Sequence, residues 1–314
     1  MRNKLIDQNI KNCQPTTFGL VAMLLVFILM GTAACQSSAE KSKKKEAVVK
    51  TMTKEKNDGS VEYYDYEAQR HLDKVIQEMS AEASPYDFII KLINSVEEYC
   101  WKALDVDTTY TPSWEKLGYL YSQVHGKQSM LRYNSYLKKG NKEKQKLEEN
   151  VVTLNFTKAE LYYSKALEFG TDDSAGIYFQ KAAAADILKN MSLVVVNMHK
   201  AVELEPDNRL YETKLIESYM YAGMFDEAFR ENENYRNKYP ESEVPYLNLG
   251  GYNYFSGDTL EAIKNYKIAI EKGTKPEVAM LLHKYYSTKG DTAMANFYLK
   301  KLDEMRATYI PDDY

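Results

Sequence analysis

Small side chains and turn residues recur along the C-terminal half of this chain at nearly constant intervals. Ala166, Ala201, Tyr235 and Ala269 follow one another at intervals of about 34 residues, and Pro206 and Pro240 occupy the same place in two successive periods. A period of that length holds about two helices of roughly 12–15 residues with the turns between them. Helices so short are marginal in water by themselves. Each must bury its apolar stripe on a neighbour, and a series of such pairs is stable only as a stack. With 14 Gly and 8 Pro in 314 residues, the sequence also has few turn formers for an all-β fold.

The periodic stretch begins Lys200-Ala201-Val202-Glu203-Leu204-Glu205-Pro206-Asp207-Asn208 and passes Ala222-Gly223-Met224-Phe225-Asp226-Glu227-Ala228. It then reaches Leu249-Gly250, Gly257-Asp258, Glu261-Ala262-Ile263, Tyr266 and Ala269. Upstream, Lys102-Ala103-Leu104-Asp105-Val106-Asp107 has the look of a second helix, and Trp114-x-x-Leu117-Gly118-x-x-Tyr121 follows at the distance the period requires. These residues resemble the tetratricopeptide repeat, a helix–turn–helix unit of about 34 residues. The resemblance implies an all-α fold: an α-solenoid of about six stacked antiparallel helix pairs over residues 61–308. Gly118 has a physical role in that scheme, since the missing side chain lets the partner helix approach, and an alanine at the facing position does the same. Filling such a site costs about 1–3 kcal/mol.

Other segments follow the helical period without the full signature. From Val61 to Ala83, the residues Tyr64, Ala68, Leu72, Val75, Ile76 and Met79 make one apolar stripe. Ser84-Pro85-Tyr86-Asp87 is a helix start with Ser as cap and Pro in the first helical position. Phe88, Ile89, Leu92, Ile93, Val96, Cys100 and Ala103 form the buried face that follows. In the last pair, Ala295, Leu299 and Leu302 face inward, while Lys300, Lys301, Asp303, Glu304 and Arg306 supply a polar end cover. Residues 127–157 are lysine-rich and irregular, interrupted by Gly140, and admit either a short repeat or an extended helix with an insertion.

The N-terminus has the features of an address. Arg2, Lys4 and Lys11 precede an apolar run, Phe18 to Met30, which is short for a bilayer span of about 20 residues and suits a signal-peptide core. Gly31-Thr32-Ala33-Ala34-Cys35 then resembles the lipobox of bacterial lipoproteins, departing from it at Thr32, where that family usually has Leu. The resemblance implies removal of residues 1–34 and a lipid on Cys35; an ordinary cleaved signal or an uncleaved anchor are the alternatives. Residues 35–60 read as a flexible tether with seven lysines and almost nothing to bury. It is either a solvated spacer or an aid to membrane attraction. Bacteroidota lipoproteins sent to the cell surface carry acidic residues just after the cysteine, and their lack here favours a periplasm-facing protein anchored in the cell envelope. Residues 309–314 read as a tail.

A formal net charge of −4 argues against a general nucleic-acid binder. The three cysteines form no Cys-x-x-Cys pair, and Cys100, on a buried helix face, reads as an inert core thiol. His71, His125, His199 and His283 are scattered, and neither a nucleophile elbow nor a phosphate loop is present. No enzymatic activity, cofactor or metal is expected. Asp107-Thr108-Thr109, Asp173-Ser174-Ala175, Asp258-Thr259-Leu260 and Asp291-Thr292-Ala293 resemble a short O-glycosylation motif of Bacteroidota, and they equally fit helix caps.

In the tetratricopeptide family the first helices of successive pairs line a concave groove that holds peptides. Carried over by position, that wall comprises Glu115, Tyr119 and Gln123 in the Trp114 repeat, then Phe179 and Asp186. Thr213, Glu217, Met220 and Tyr221 follow, then Leu247, Asn248, Tyr254 and Phe255, and finally Met280 and Lys284. The lysine/asparagine clamp by which co-chaperones of this family hold a C-terminal carboxylate is absent. Tyr121, Tyr219 and Tyr266 fall at packing positions. The resulting expectation is a membrane-anchored scaffold that binds an envelope protein or peptide. The alternative is a lipoprotein of glycan or nutrient uptake, for which residues 127–157 are the place with room for a sugar-binding loop.

Overall fold

A computed structural model describes residues 59–80, 86–273 and 275–308. The leader 1–34, Cys35, nearly all of the tether, the Ser84-Pro85 helix start and the tail 309–314 lie outside them. Among the described residues every regular element is helical. None of these helices is long and apolar enough to cross a membrane. The chain divides into two compact units, one ending at Lys189 and one beginning at Asn190.

The first unit contains α1 (Val61–Ser80), α2 (Tyr86–Val106), α3 (Thr111–Tyr119), a π-helical segment (Leu120–Gly126), α4 (Lys127–Lys138), α5 (Lys142–Glu168) and α6 (Ser174–Ile187). α1 and α2 form an antiparallel hairpin; α3, the π-helical segment and α4 run on from one another and return along α5, against which α6 packs. The core joins Ala68, Leu72 and Val75 of α1 to Ile93, Val96 and Cys100 of α2, and these to Leu117, Leu120, Ala159 and Tyr163. Burial pushes the Cys100 thiol up to about 12, consistent with an unreactive core group. Ile76, Met79 and Phe88 depart from the expected stripe: all three are exposed.

The second unit contains α7 (Met191–Leu204), α8 (Arg209–Tyr221), α9 (Phe225–Lys238), α10 (Val244–Phe255), α11 (Thr259–Glu271), α12 (Pro276–Thr288) and α13 (Thr292–Thr308). α8 pairs with α9, α10 with α11, and α12 with α13, while α7 packs on α8. The periodic small residues are where close helix contact needs them: Ala166, Ala201, Ala228, Ala262 and Ala269 are all buried. In α13 the inward positions are Ala295, Tyr298 and Leu302, and Leu299 is exposed. The expected Leu299 is one residue off that stripe, and Tyr298 fills its place against Tyr286, with the rings stacked 5.6 Å apart.

Glycine acts the same way in both units. A Cβ on Gly118 would lie 2.5 Å from the ring of Tyr163, and one on Gly250 would lie 2.5 Å from the ring of Tyr266. Each glycine therefore admits a tyrosine of the returning helix flat against the backbone of the first. The partner is a large ring and not the small residue expected to face it, so the close approach is of ring to backbone.

The two pairs differ in what separates those partners. The chain from Gly118 to Tyr163 is nearly three times as long as that from Gly250 to Tyr266. The additional chain forms no repeat of its own. It lengthens both helices of the hairpin, which settles residues 127–157 as an extended helix pair. Near its base, Val152 and Phe156 pack with Met130 and Tyr133 against Ala184, Ile187 and Leu188. Further out, Arg132 meets Glu148 at 2.8 Å, and Gln145 donates to the Tyr133 hydroxyl at 3.1 Å. The turn closes at Gly140, whose φ of +66° favours glycine. Its amide donates to the Leu137 carbonyl, and the Asn141 amide donates to that of Tyr136. The Asn141 side chain then caps α5 through the Lys144 amide.

The aspartates of the four Asp-Thr/Ser sites cap or turn the backbone. Asp173, Asp258 and Asp291 accept from the amides of Gly176, Glu261 and Met294, and Asp107 accepts from the amide and hydroxyl of Thr109.

Candidate functional site

The first-helix positions divide into those consumed by internal bonding and those left on the surface. In the first unit, the Glu115 carboxylate on α3 accepts from the hydroxyl of Thr171, just before α6. Burial raises the Glu115 pKa, against the opposing pull of the Thr171 hydrogen bond and Lys116. Gln123 donates to Gln180 on α6 at 3.1 Å. Both side chains thus tie one first helix to the next. Tyr119 packs half-buried against the core. Phe179 is a correction to the expected wall: it is fully buried, because the inward stripe of α6 passes through Ala175, Phe179 and Ala182. Asp186 is half-buried in the last turn of α6.

In the second unit, the Thr213 hydroxyl bonds back to the Arg209 carbonyl at 2.8 Å. Glu217 receives the ammonium of Lys214 at 2.6 Å, and Lys214 is itself buried. Asn248 donates to Asn232 at 3.0 Å, while Asn232 donates to the Pro245 carbonyl at 3.1 Å. Leu247 packs against the core of the last two pairs. Met220 lines a hollow of about 10 Å³ with Phe225, Phe229 and Tyr252. That is room for about one water molecule, far below the roughly 300–1,000 Å³ of a small-molecule site.

Four large apolar side chains from the same set stay on the surface: Tyr221 is 52% exposed, Tyr254 53%, Phe255 84% and Met280 46%. Tyr221 and Phe255 stand one repeat apart, so each ends the first helix of its pair at the same repeat position. The rings of Tyr254 and Phe255 meet edge-on at 6.0 Å. Lys284 is exposed on α12. Among the described residues, no group of three or more His, Cys, Asp or Glu is placed to hold a metal ion.

One recurring contact was missed from the sequence. The Lys238 ammonium bonds the Pro206 carbonyl at 2.7 Å, and the Lys272 ammonium bonds the Pro240 carbonyl at 2.7 Å. Each lysine lies at the end of a second helix and reaches back to the turn before the preceding first helix. The signal was available, because Lys238 and Lys272 stand one repeat apart, as do their prolines. Hydrogen bonds donated to the carboxylates of Asp207 and Glu212 hold the Lys238 ammonium above its ordinary pKa.

No family model and no curated protein matches the sequence. Among solved structures, the chain is similar to YrrB, described as a TPR protein with an unusual peptide-binding site, at 15% identity and a TM-score of 0.42, covering 74% of this chain and 99% of that one. It is also similar to MamA, at 17% identity and a TM-score of 0.43 over 65% of this chain and 91% of that one. A tetratricopeptide repeat protein from Parabacteroides merdae matches at 15% identity and a TM-score of 0.39, covering 76% of this chain and 93% of that one.

Proposed function

We propose that this protein is a scaffold that binds another protein or a peptide through the first helices of its pairs, held at a membrane of the cell envelope by a lipid on Cys35. The observation that carries the binding role is the exposed set Tyr221, Tyr254, Phe255 and Met280. Large aromatic groups on a soluble surface are normally turned inward, and aromatic residues and methionine are enriched where proteins meet. The recurrence of Tyr221 and Phe255 at the repeat spacing suits an extended partner that touches one pair after another. The anchoring role is supported by the lipobox resemblance alone.

The sugar-uptake alternative would need a loop insertion to build a sugar site. Residues 127–157, the stretch with room for a sugar-binding loop, form a helical hairpin instead.

The test is site-specific photocrosslinking in the native envelope, with the crosslinker at Phe255 or Tyr221, followed by mass spectrometry. A discrete protein adduct at these positions, with the Tyr221 adduct lost in the Phe255→Ala/Tyr254→Ala variant, is the expected result. If the crosslinker at Phe255 gives no more adduct than one at exposed Lys300 on the end helix, the assignment of this face fails. Membrane attachment is tested separately by converting Cys35 to Ser, which should release the chain from the membrane fraction.

A further inference from the structure

The hairpin of α4 and α5 ends in a surface that neither the core nor the first-helix faces use. Every residue from Leu137 to Lys144 is exposed. Lys138, Lys139, Lys142, Lys144 and Lys146 cluster there against a single acidic residue, Glu143, on a chain whose formal net charge is −4. Elsewhere in the described residues, lysines commonly pair with carboxylates three or four positions away on their own helix: Lys102 with Glu98, Lys165 with Glu168, Lys200 with Glu203 and Lys264 with Glu261. These five make no ion pair among the described residues, and Lys144 lies 5.6 Å over the ring of Tyr136. The nearby Glu148 is turned across the hairpin to Arg132 and leaves the apex positive.

Apolar groups accompany the charge. Leu137 is 39% exposed and Leu147 is 65% exposed, one on each helix beside the lysines. Arg132, Tyr133, Gln145 and Glu148 hold the two helices together from within, so the lysines and leucines are not needed for the hairpin's own closure.

We propose that this apex docks on the surface of a membrane containing anionic phospholipid, the lysines meeting headgroup phosphates and Leu137 and Leu147 entering the headgroup–acyl boundary. The charge is complementary to such a surface, where each basic residue strengthens attachment about fivefold. The convex tip suits a broad plane better than an extended peptide, which needs a groove or a sheet edge. Lysines with neighbouring leucines are the combination by which interfacial helices add apolar burial to electrostatic attraction. The inference does not depend on the lipid anchor or on the scaffold reading.

Hydrogen–deuterium exchange on the full chain tests it, because the readout is local and a separate anchor does not obscure it. The vesicles are phosphatidylcholine alone and an equal mixture of phosphatidylcholine and phosphatidylglycerol. Amides of residues 137–147 should exchange severalfold more slowly on the mixed vesicles than on neutral ones, and raised salt should abolish the difference. Replacing the five lysines with glutamine, which has similar helix propensity, should remove the protection. Converting Leu137 and Leu147 to serine should weaken it while leaving it salt-sensitive. Equal exchange on both vesicle types overturns the proposal. So does protection that grows with protein concentration in the absence of vesicles, which would point to a second copy of the chain. If the glutamine variant frays the hairpin, the wild-type comparison between the two vesicle types still decides.

Discussion

At the scale of single residues, Gly118 and Gly250 carry the sharpest consequence. Adding one methyl group to either would press it 2.5 Å from a tyrosine ring carbon, closer than such atoms approach. Gly118→Ala and Gly250→Ala should each destabilise by about 1–3 kcal/mol, as overpacked sites do. Gly251, in the same helix as Gly250, has nothing within 4 Å of a built Cβ. Gly251→Ala should therefore be neutral or stabilising by up to about 1 kcal/mol, since alanine is the better helix former. Urea titration of the three variants checks all three values. Trp114 makes a second comparison. Truncating a wholly buried tryptophan costs about 3–5 kcal/mol. Trp114 is half-buried, stacked on Tyr162 and edge-on to Trp101, with its indole nitrogen donating to the Thr108 carbonyl at 2.9 Å. Trp114→Ala should accordingly cost about 2 kcal/mol, below the range for full burial.

His125 gives a pH dependence at the same scale. Its ring lies 5.0 Å from that of Tyr121, whose hydroxyl donates to Glu97 and receives the Lys158 ammonium at 3.2 Å. Burial lowers the pKa of the imidazole; Glu97 opposes this, while Lys158 and Arg132 reinforce it. The unfolded ring takes up its proton near pH 6.5, and the folded ring only at lower pH. The neutral ring's contribution is therefore complete above about pH 6.5 and is lost as the pH falls from there through the folded pKa. Thermal melts should show the wild type losing more stability than His125→Gln between about pH 7.5 and 5.5.

At the scale of elements, the outer part of the α4/α5 hairpin, from Leu131 to Val151, holds no buried residue, and its tip is secured by polar contacts across two helices. Within the described residues, limited trypsin digestion should cut at Lys138, Lys139, Lys142 or Lys144 before any lysine of the second unit. The same hairpin marks where sequence reading failed. The periodic positions Ala201, Tyr235 and Ala269 were legible because one small or aromatic residue per repeat must meet the neighbouring helix, which fixes both its type and its spacing. Trp114, Leu117, Gly118 and Tyr121 were legible for the same reason. Beyond Tyr121 that logic lapses. The π-helical turn from Leu120 to Gly126 departs from the α-helical period, so an α-helical register carried through it points to the wrong face. The outer part of the lengthened helices that follow, from Leu131 to Val151, buries no residue, so nothing there enforces a pattern. Phe179 failed differently: transferring a groove position by counting assumes every first helix leaves one face open, and α6 is buried over most of its surface, Phe179 included.

At the scale of the whole molecule, stability in a stack of pairs is close to a sum over neighbours. Gly118 and Gly250 lie in different units and press on different tyrosines. Their alanine variants should add to within about 0.5 kcal/mol when combined, and a larger departure in urea titrations would show coupling between the two. The exposed groups on which the two proposals rest are likewise distributed, with aromatic side chains on α8 and α10 and a basic apex on the long hairpin.

That apex turn, where Gly140 hands over to the Asn141 cap, has a practical corollary. Because the chain there reverses in open solvent, foreign sequence spliced between those two residues will hang outside the folded body. An epitope or a small fluorescent domain placed at that junction should leave the melting temperature unchanged, giving a handle for following the protein in living cells.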